Sequence, residues 1–528
     1  MQQKIDKYSK QIFLAVLIIA ILVRVIWVCG IPSGMHEDEA GLAYDAYCIA
    51  NYGVDRYLNH LPVYFTNFGG GQSALYVYLT AFLIKIFGLN LFVVRLPSII
   101  FSVLAIIFSY LTVKKLKNTN TALLFSFFIA ICPWHIMQSR WALDCNLLSS
   151  LIVIDVFLLV TSSKAWHYFF TGILLGITLY TYALSYIMLP VFTLCIIIYL
   201  LLTKKASLKN ILIMVIPTLV LAFPLVLVQI VNMFGLEKID LGFITIPSLF
   251  SYRVSEFGIK NILPNLNITT TNNVFKLLFC FDNNEFNAFK EFGTMYYISI
   301  PFIICGFALS VKKFIKDITS KNFTIESIFF IQFVSIFICT LFFADLQLYK
   351  LNALFIPCLY FLSLAIVKLI SFSKAFLPIV VIIYLLNFGL FVGFYYTNMN
   401  SKQGIAFNTD LISTINYINS NEEFASKSVH IESDCIQQYI YVLLANKTSP
   451  YEFYKTKKII TLGYNTCEVI GFDKYTFLYY GEIDSNKIYV VEKNNLLRQS
   501  LSNELIEKLE NAHFNKQEYN GFYIYSKE

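Results

Sequence analysis

Apolar runs of the roughly 20 residues needed to cross a bilayer recur from residue 11 to residue 396, and from residue 397 the chain turns polar and rich in Lys, Asn and Glu. They predict helical spans at residues 11–29, 92–113, 121–138, 146–161, 166–183, 185–203, 210–231, 296–311, 325–344, 351–370 and 375–396. The apolar stretch Ser73 to Phe87 is shorter and carries Lys85, so it is expected at the membrane interface. With that choice every basic cluster falls on one side: Lys4, Lys7 and Lys10; Lys114, Lys115 and Lys117; Lys204, Lys205 and Lys209; Lys312, Lys313, Lys316 and Lys321. Cytoplasmic loops concentrate Lys and Arg. Eleven spans then place the amino terminus inside, and residues 30–91, 139–145, 232–295, 345–350 and the carboxyl-terminal region outside. The first run, Ile12 to Val28, is followed by Pro, Gly and acids rather than by a small-residue cleavage site, and it reads as a retained helix.

After residue 396 the periodicity changes. "TDLISTINYIN", "DCIQQYIYVLLAN" and "LSNELIEKLENA" have helical spacing, whereas "SVHIES", "KYTFLYY", "KIYVVEKN" and "GFYIYS" read as strands. The expected architecture is therefore an α-helical polytopic membrane domain of about eleven transmembrane helices over residues 1–396, followed by a soluble α/β domain over 397–528. Composition agrees, since 57% of the 528 residues are hydrophobic and 14% charged, against about one charged residue in four for soluble domains. The net charge of +7 resides mostly in short loops that orient helices, so nucleic acid is not implied as a partner. The Lys/Asn/Ile-heavy composition reads as bacterial, and the matches to the N-glycosylation pattern at Asn267 and Asn446 carry no weight.

Candidate chemistry lies on the predicted outer face. "GMHEDEAGLAYDAY" sets Glu37, Asp38 and Glu39 side by side at the start of a predicted helix, where the helix dipole favours negative charge; Asp45 follows on the face of Asp38 two turns on. A solvated helix start explains these acids, and so does a general base working in a partly desolvated groove. A second cluster, "CPWHIMQSRWALDCN", carries Arg140 and Asp144 four residues apart, a spacing that shares a helical face. Arg95 in "VVRLPS" and Lys350 in "LQLYKLNALFIP" add two cations at the same level. Three cations facing one acidic cluster suit a bound lipid phosphate beside a deprotonated hydroxyl. His36 adjoins the acids, but no ligand spacing accompanies it, so no metal site is expected. Cys435 and Cys467 are treated as unpaired. The Asn- and Asp-rich stretches 261–273 and 280–289 fit sugar binding or turn chemistry alike.

These residues resemble the GT-C glycosyltransferases that use polyprenyl-phosphate sugars, the superfamily of protein O-mannosyltransferases and lipid A aminoarabinose transferases. The resemblance rests on the "DE" of Asp38 and Glu39 after the first span, "RLP" at Arg95 to Pro97, the Pro133 to Asp144 stretch and Tyr349 to Pro357, in that order over residues 10 to 396. It implies an inverting transfer of one sugar to an acceptor hydroxyl, with Asp38 as base. It further implies Arg140, Lys350 and Arg95 around the departing phosphate, and Glu39, Asp144, Glu37 and Tyr349 in support. The donor would be a polyprenyl-phosphate sugar and the acceptor a protein, a lipid or a wall polymer; neither a nucleotide nor a divalent metal is required by the motif. One departure stands out. Where relatives carry His or Lys beside Pro-Pro, this chain has Gly69, Gly70, Gly71, Gln72 and Ser73, a run that suits an anion cradle or a turn, and Arg56 with His60 is the candidate replacement charge. The rival classes are a lipid-linked glycan ligase or polymerase and a transporter or flippase of envelope polysaccharide. A transporter places ionisable groups near mid-bilayer, whereas here they gather at one face.

Overall fold

The structure, a computed structural model, describes residues 2–250, 257–270, 273–282, 284–403, 406–435, 437–462, 466–478, 481–493 and 499–527, without the side chains of residues 2–6, 403, 425, 461–462 and 466–467. The chain divides into two compact units: Met1–Ile31, Arg95–Val226 and Val254–Met399 form one, and Pro32–Val94, Leu227–Arg253 and Asn400–Glu528 form the other.

Each of the eleven predicted apolar stretches holds a helix: Gln2–Val25, Leu91–Leu116, Thr119–Ile131, Leu148–Thr161, Ala165–Thr178, Ser185–Leu202, Leu208–Met233, Ile300–Ser320, Ile325–Thr340, Asn352–Phe372 and Phe376–Gln403. Among the described residues, eight helical segments are long and apolar enough to cross a membrane, while Thr119–Ile131 and Ile325–Thr340 are shorter apolar helices. The predicted span 121–138 is broken because Pro133 disfavours helical backbone at Cys132; the chain turns extended there (ψ 125) and starts a new short helix, Pro133–Gln138. The first unit is built by close helix packing. A Cβ on Gly306 would lie 1.8 Å from the Phe361 carbonyl oxygen and one on Gly172 would lie 2.0 Å from that of Met214, so glycine lets these backbones approach as membrane helices require. Residues 352–366 are buried throughout, whereas Leu219, Val220, Phe223, Leu386 and Leu390 are exposed, the inside-out apolar surface of a chain solvated by lipid.

The second unit contains every strand found among the described residues. β1 (Tyr64–Asn67) and β2 (Gly70–Ser73) form a hairpin, and β3 (Ile239–Asp240) and β4 (Thr245–Ile246) another. β5 (Ser428–Glu432), β6 (Lys458–Leu462), β7 (Thr466–Phe472), β8 (Tyr475–Phe477), β9 (Lys487–Glu492), β10 (Asn515–Tyr519) and β11 (Phe522–Ser526) make one sheet in the order β10-β11-β9-β5-β8-β7-β6. β5 runs parallel to β8 and β9, and the remaining pairs are antiparallel. The helix Gln499–Asn511 packs Leu505 and Leu509 against Tyr489, Val491 and Tyr525 of this sheet. The stretch expected at the interface is the helix Ala74–Phe87, whose Lys85 Nζ donates to the Ala50 carbonyl at 3.1 Å and whose Phe82, Ile86 and Phe87 are exposed.

Candidate active site

The acids open the helix Glu37–Tyr52. His36 precedes it in extended backbone and caps it, Nδ1 accepting the Asp38 N–H at 3.2 Å; Gly53, at φ 72, closes the other end. The capping duty gives His36 a local role without any metal. The three carboxylates go three ways. Glu39 is fully buried. Glu37 is partly buried, and that burial, followed by the adjacent Asp38 charge, pushes its carboxyl up to about 7. The Asp38 side chain stays 40% exposed, with Oδ2 3.7 Å from His36 Nδ1, and its Oδ1 accepts a hydrogen bond from Asn67 Nδ2 at 3.4 Å.

Asp45 points into the unit. Arg56 reaches it with two parallel bonds, Nε to Oδ1 at 3.0 Å and Nη2 to Oδ2 at 2.8 Å, and the Arg56 backbone N–H adds a third at 3.1 Å. Nη2 also donates to the Gly41 carbonyl at 2.6 Å and Nη1 to the Tyr439 hydroxyl at 3.1 Å, with both charged side chains fully buried. The sequence suggested Arg56 as a phosphate ligand; its guanidinium is spent inside the protein because a buried charge requires a paired one. Asp55, buried beside this pair, is pushed up to about 6 by burial first and by Asp45 next.

The glycine run is an ordered hairpin. Asn67 pairs with Gly70 across Phe68 (φ 50) and Gly69 (φ 88), the two left-handed positions that a two-residue primed turn demands. Gly71 faces the Tyr64 ring so closely that a Cβ would lie 1.9 Å from Cε1. Turn geometry and close packing thus account for the run read as turn or anion cradle.

The other predicted cations lie in the first unit. Arg140 is fully buried. It donates to the carbonyls of Val23 (2.6 Å), Ile26 (2.8 Å) and Ile31 (2.9 Å) and to the hydroxyls of Tyr395 (3.2 Å) and Tyr396 (3.1 Å). It holds the carbonyls at the end of the first helix, and those oxygens carry the negative end of the helix dipole. The expected helical face shared with Asp144 is absent, since the helix stops at Gln138 and Asp144 begins a separate 3-10 turn, where Oδ1 accepts the Cys145 N–H at 2.7 Å. Arg95 is buried and donates to the Val28 carbonyl at 2.5 Å. Lys350 lies in the short 3-10 helix Leu348–Leu351 and donates to the Ala344 carbonyl at 3.0 Å; Tyr349 beside it is half-buried and sets its ring edge-on to Tyr182 at 6.5 Å. Asp282, buried, accepts from the Leu348 N–H and from Asn287, both at 3.0 Å, and Asn265 donates to the Leu341 and Phe343 carbonyls. The Asn/Asp-rich loop therefore uses these groups to fold onto the Lys350 segment.

Sequence reasoning missed Arg24, Asn67, Tyr395 and Tyr396. Arg24 is buried and donates to His135 Nδ1 at 2.8 Å, and Trp134 Nε1 donates to Asn352 at 2.9 Å, so the "PWH" motif is tied to two helices distant in sequence. Among the described residues no group of three or more His, Cys, Asp and Glu could hold a metal ion. Cys435 is a buried free thiol; the Cys467 side chain lies outside the described residues.

Residues 72–231 match the sequence family of dolichyl-phosphate-mannose-protein mannosyltransferases. The fold is similar to that of ArnT from Cupriavidus metallidurans bound to undecaprenyl phosphate, at 11% identity and TM-score 0.54 over 97% of each chain. The apo state of the same protein gives 11% identity and TM-score 0.56 over 97% of this chain and 96% of that one. The apo oligosaccharyltransferase of Archaeoglobus fulgidus shares 12% identity at TM-score 0.47 over 83% of this chain, which spans 64% of its length. No curated protein matches the chain.

Proposed function

We propose, starting from a chain that carries the GT-C fold of membrane glycosyltransferases, that it transfers a single sugar from a polyprenyl-phosphate donor to an acceptor hydroxyl on the outer face of a bacterial cell membrane. The observation that carries this reading is Asp38, whose carboxylate stays 40% exposed at the start of one helix, in a chain whose residues 72–231 match a mannosyltransferase family. Asp38 takes the hydroxyl proton as the acceptor oxygen attacks the anomeric carbon; the bond from that carbon to the phosphate oxygen breaks with inversion, and the phosphate leaves with the electron pair. Negative charge developing on that oxygen calls for a preorganised cation. We assign that role to Lys350, with Arg95 in support. Arg56 and Arg140 spend their donors on protein oxygens and are assigned structural roles. Glu39, Asp144 and Tyr349 support these groups.

A second assignment of the base has its own observation. Glu37, lifted to about 7, sits where general bases are most efficient at neutral pH. Transfer of label from a panel of polyprenyl-phosphate sugars to membrane extract, by purified protein in vesicles, separates the two. Asp38→Asn is expected to abolish transfer of the one accepted sugar while donor binding persists, and Glu37→Gln to leave it largely intact. The reverse pattern assigns the base to Glu37, and full activity in both variants removes the acidic helix from the chemistry.

A further inference from the structure

We infer that Asn67 is a positioning residue for the Asp38 carboxylate, and that the glycine-rich hairpin serves to hold it there; this rests on the reading of Asp38 as the base. Asn67 is 8% exposed and its Nδ2 is the side-chain donor that meets Asp38 Oδ1. A carboxylate only accepts, so the amide must present its N–H side. That orientation turns Asn67 Oδ1 toward the helix, where it is buried and has no hydrogen-bond partner among the described residues. A buried amide with one end unpaired calls for an explanation in what the other end does.

The surroundings fix this orientation. Gly41, one turn after Asp38, would drive a Cβ to 2.5 Å from Asn67 Oδ1 and 3.0 Å from Arg56 Nη2, so only glycine admits the amide flat against the helix. The turn at Phe68 and Gly69 ends β1 at Asn67, and the contact of Gly71 with the Tyr64 ring prevents the strands from sliding. Arg56, locked on Asp45, also donates to the Gly41 carbonyl and packs 5.7 Å above the Phe68 ring, tying helix to hairpin. With Oδ1 tethered, the plane of the Asp38 carboxylate is set, and Oδ2 is the oxygen left for the acceptor hydroxyl, which a base must meet within hydrogen-bond reach.

The test is the steady-state kinetics of transfer by the full-length protein in vesicles, for wild type, Asn67→Ala, Asn67→Asp and Gly41→Ala, with Asp38→Asn alongside and thermal unfolding as the control for folding. Asn67→Ala and Gly41→Ala are expected to lower kcat about tenfold and leave the donor KM within about twofold; Asn67→Asp, nearly isosteric but without the N–H donor, is expected to lower kcat at least as much. Folded Asn67 variants that keep the wild-type kcat, with Asp38→Asn inactive, overturn the positioning role alone. An active Asp38→Asn overturns the base assignment and this inference with it.

Discussion

A guanidinium buried with its carboxylate obeys a different energetics from one poised for a ligand. Arg56 and Asp45 are both fully buried and doubly bonded, and removing one partner of such a pair leaves an uncompensated charge at a cost of roughly 3–5 kcal/mol. Arg56→Met is expected to destabilise the protein by about that amount in denaturant titrations, and Asp45→Leu combined with it to restore more than half of the loss, whereas a phosphate ligand would raise the donor KM and leave stability alone. Glu37 gives a prediction of opposite character. Its carboxyl rises from 4.5 to about 7 on folding, so between these values the folded state binds more protons than the unfolded one, and stability falls as pH rises through the window. Glu37→Gln should therefore stabilise the protein at pH 8, by up to roughly 3 kcal/mol, and hardly at pH 4; equal thermal shifts at both values would refute the assignment. At this scale the acids could be read directly, because three adjacent carboxylates are visible as such. The destinations of the arginines could not, because Arg140 is held by the carbonyls of Val23, Ile26 and Ile31, which carry no residue signature.

Among the elements, the hairpin depends on glycine for two different reasons. Gly69 holds a left-handed backbone (φ 88), a conformation that Asn also tolerates. Gly71 needs space, since a Cβ there would meet the Tyr64 ring at 1.9 Å. Gly71→Ala is expected to cost about 1–3 kcal/mol by overpacking, and Gly71→Ala combined with Tyr64→Ala to recover part of it, as read by thermal unfolding. Long apolar helices were legible throughout because twenty-residue runs admit few alternatives. The stretch from Arg140 to Asp144 misled, since a four-residue spacing predicts a shared face only where the backbone is helical. β10 was invisible for another reason: it is an edge strand whose first four residues are all exposed, so no apolar alternation marks it.

For the whole molecule, the composition of the second unit constrains the membrane topology. Pro32–Val94, Leu227–Arg253 and Asn400–Glu528 fold together, so all three must lie on one side of the bilayer, and each intervening stretch must cross it an even number of times. Between the second and third segments, the candidate spans by length and apolarity among the described residues are Tyr297–Ser320, Leu348–Phe372 and Phe376–Lys402, an odd number. Parity then requires the shorter apolar helix Ile325–Thr340 to cross as well, although 16 residues reach only about 24 Å across a core of about 30 Å, a mismatch that a locally thinner bilayer can accommodate. Charge then sets the direction, because Lys312, Lys313, Lys316 and Lys321 lead into this helix and cytoplasmic loops carry the basic residues. With the exposed Cys29 and Cys305 replaced by serine, Ser320→Cys is expected to react with a membrane-impermeant maleimide only after the cells are opened, and Asp345→Cys in intact cells. If both react from the same side, the helix does not cross, and the even count must come from a crossing elsewhere between residues 253 and 400.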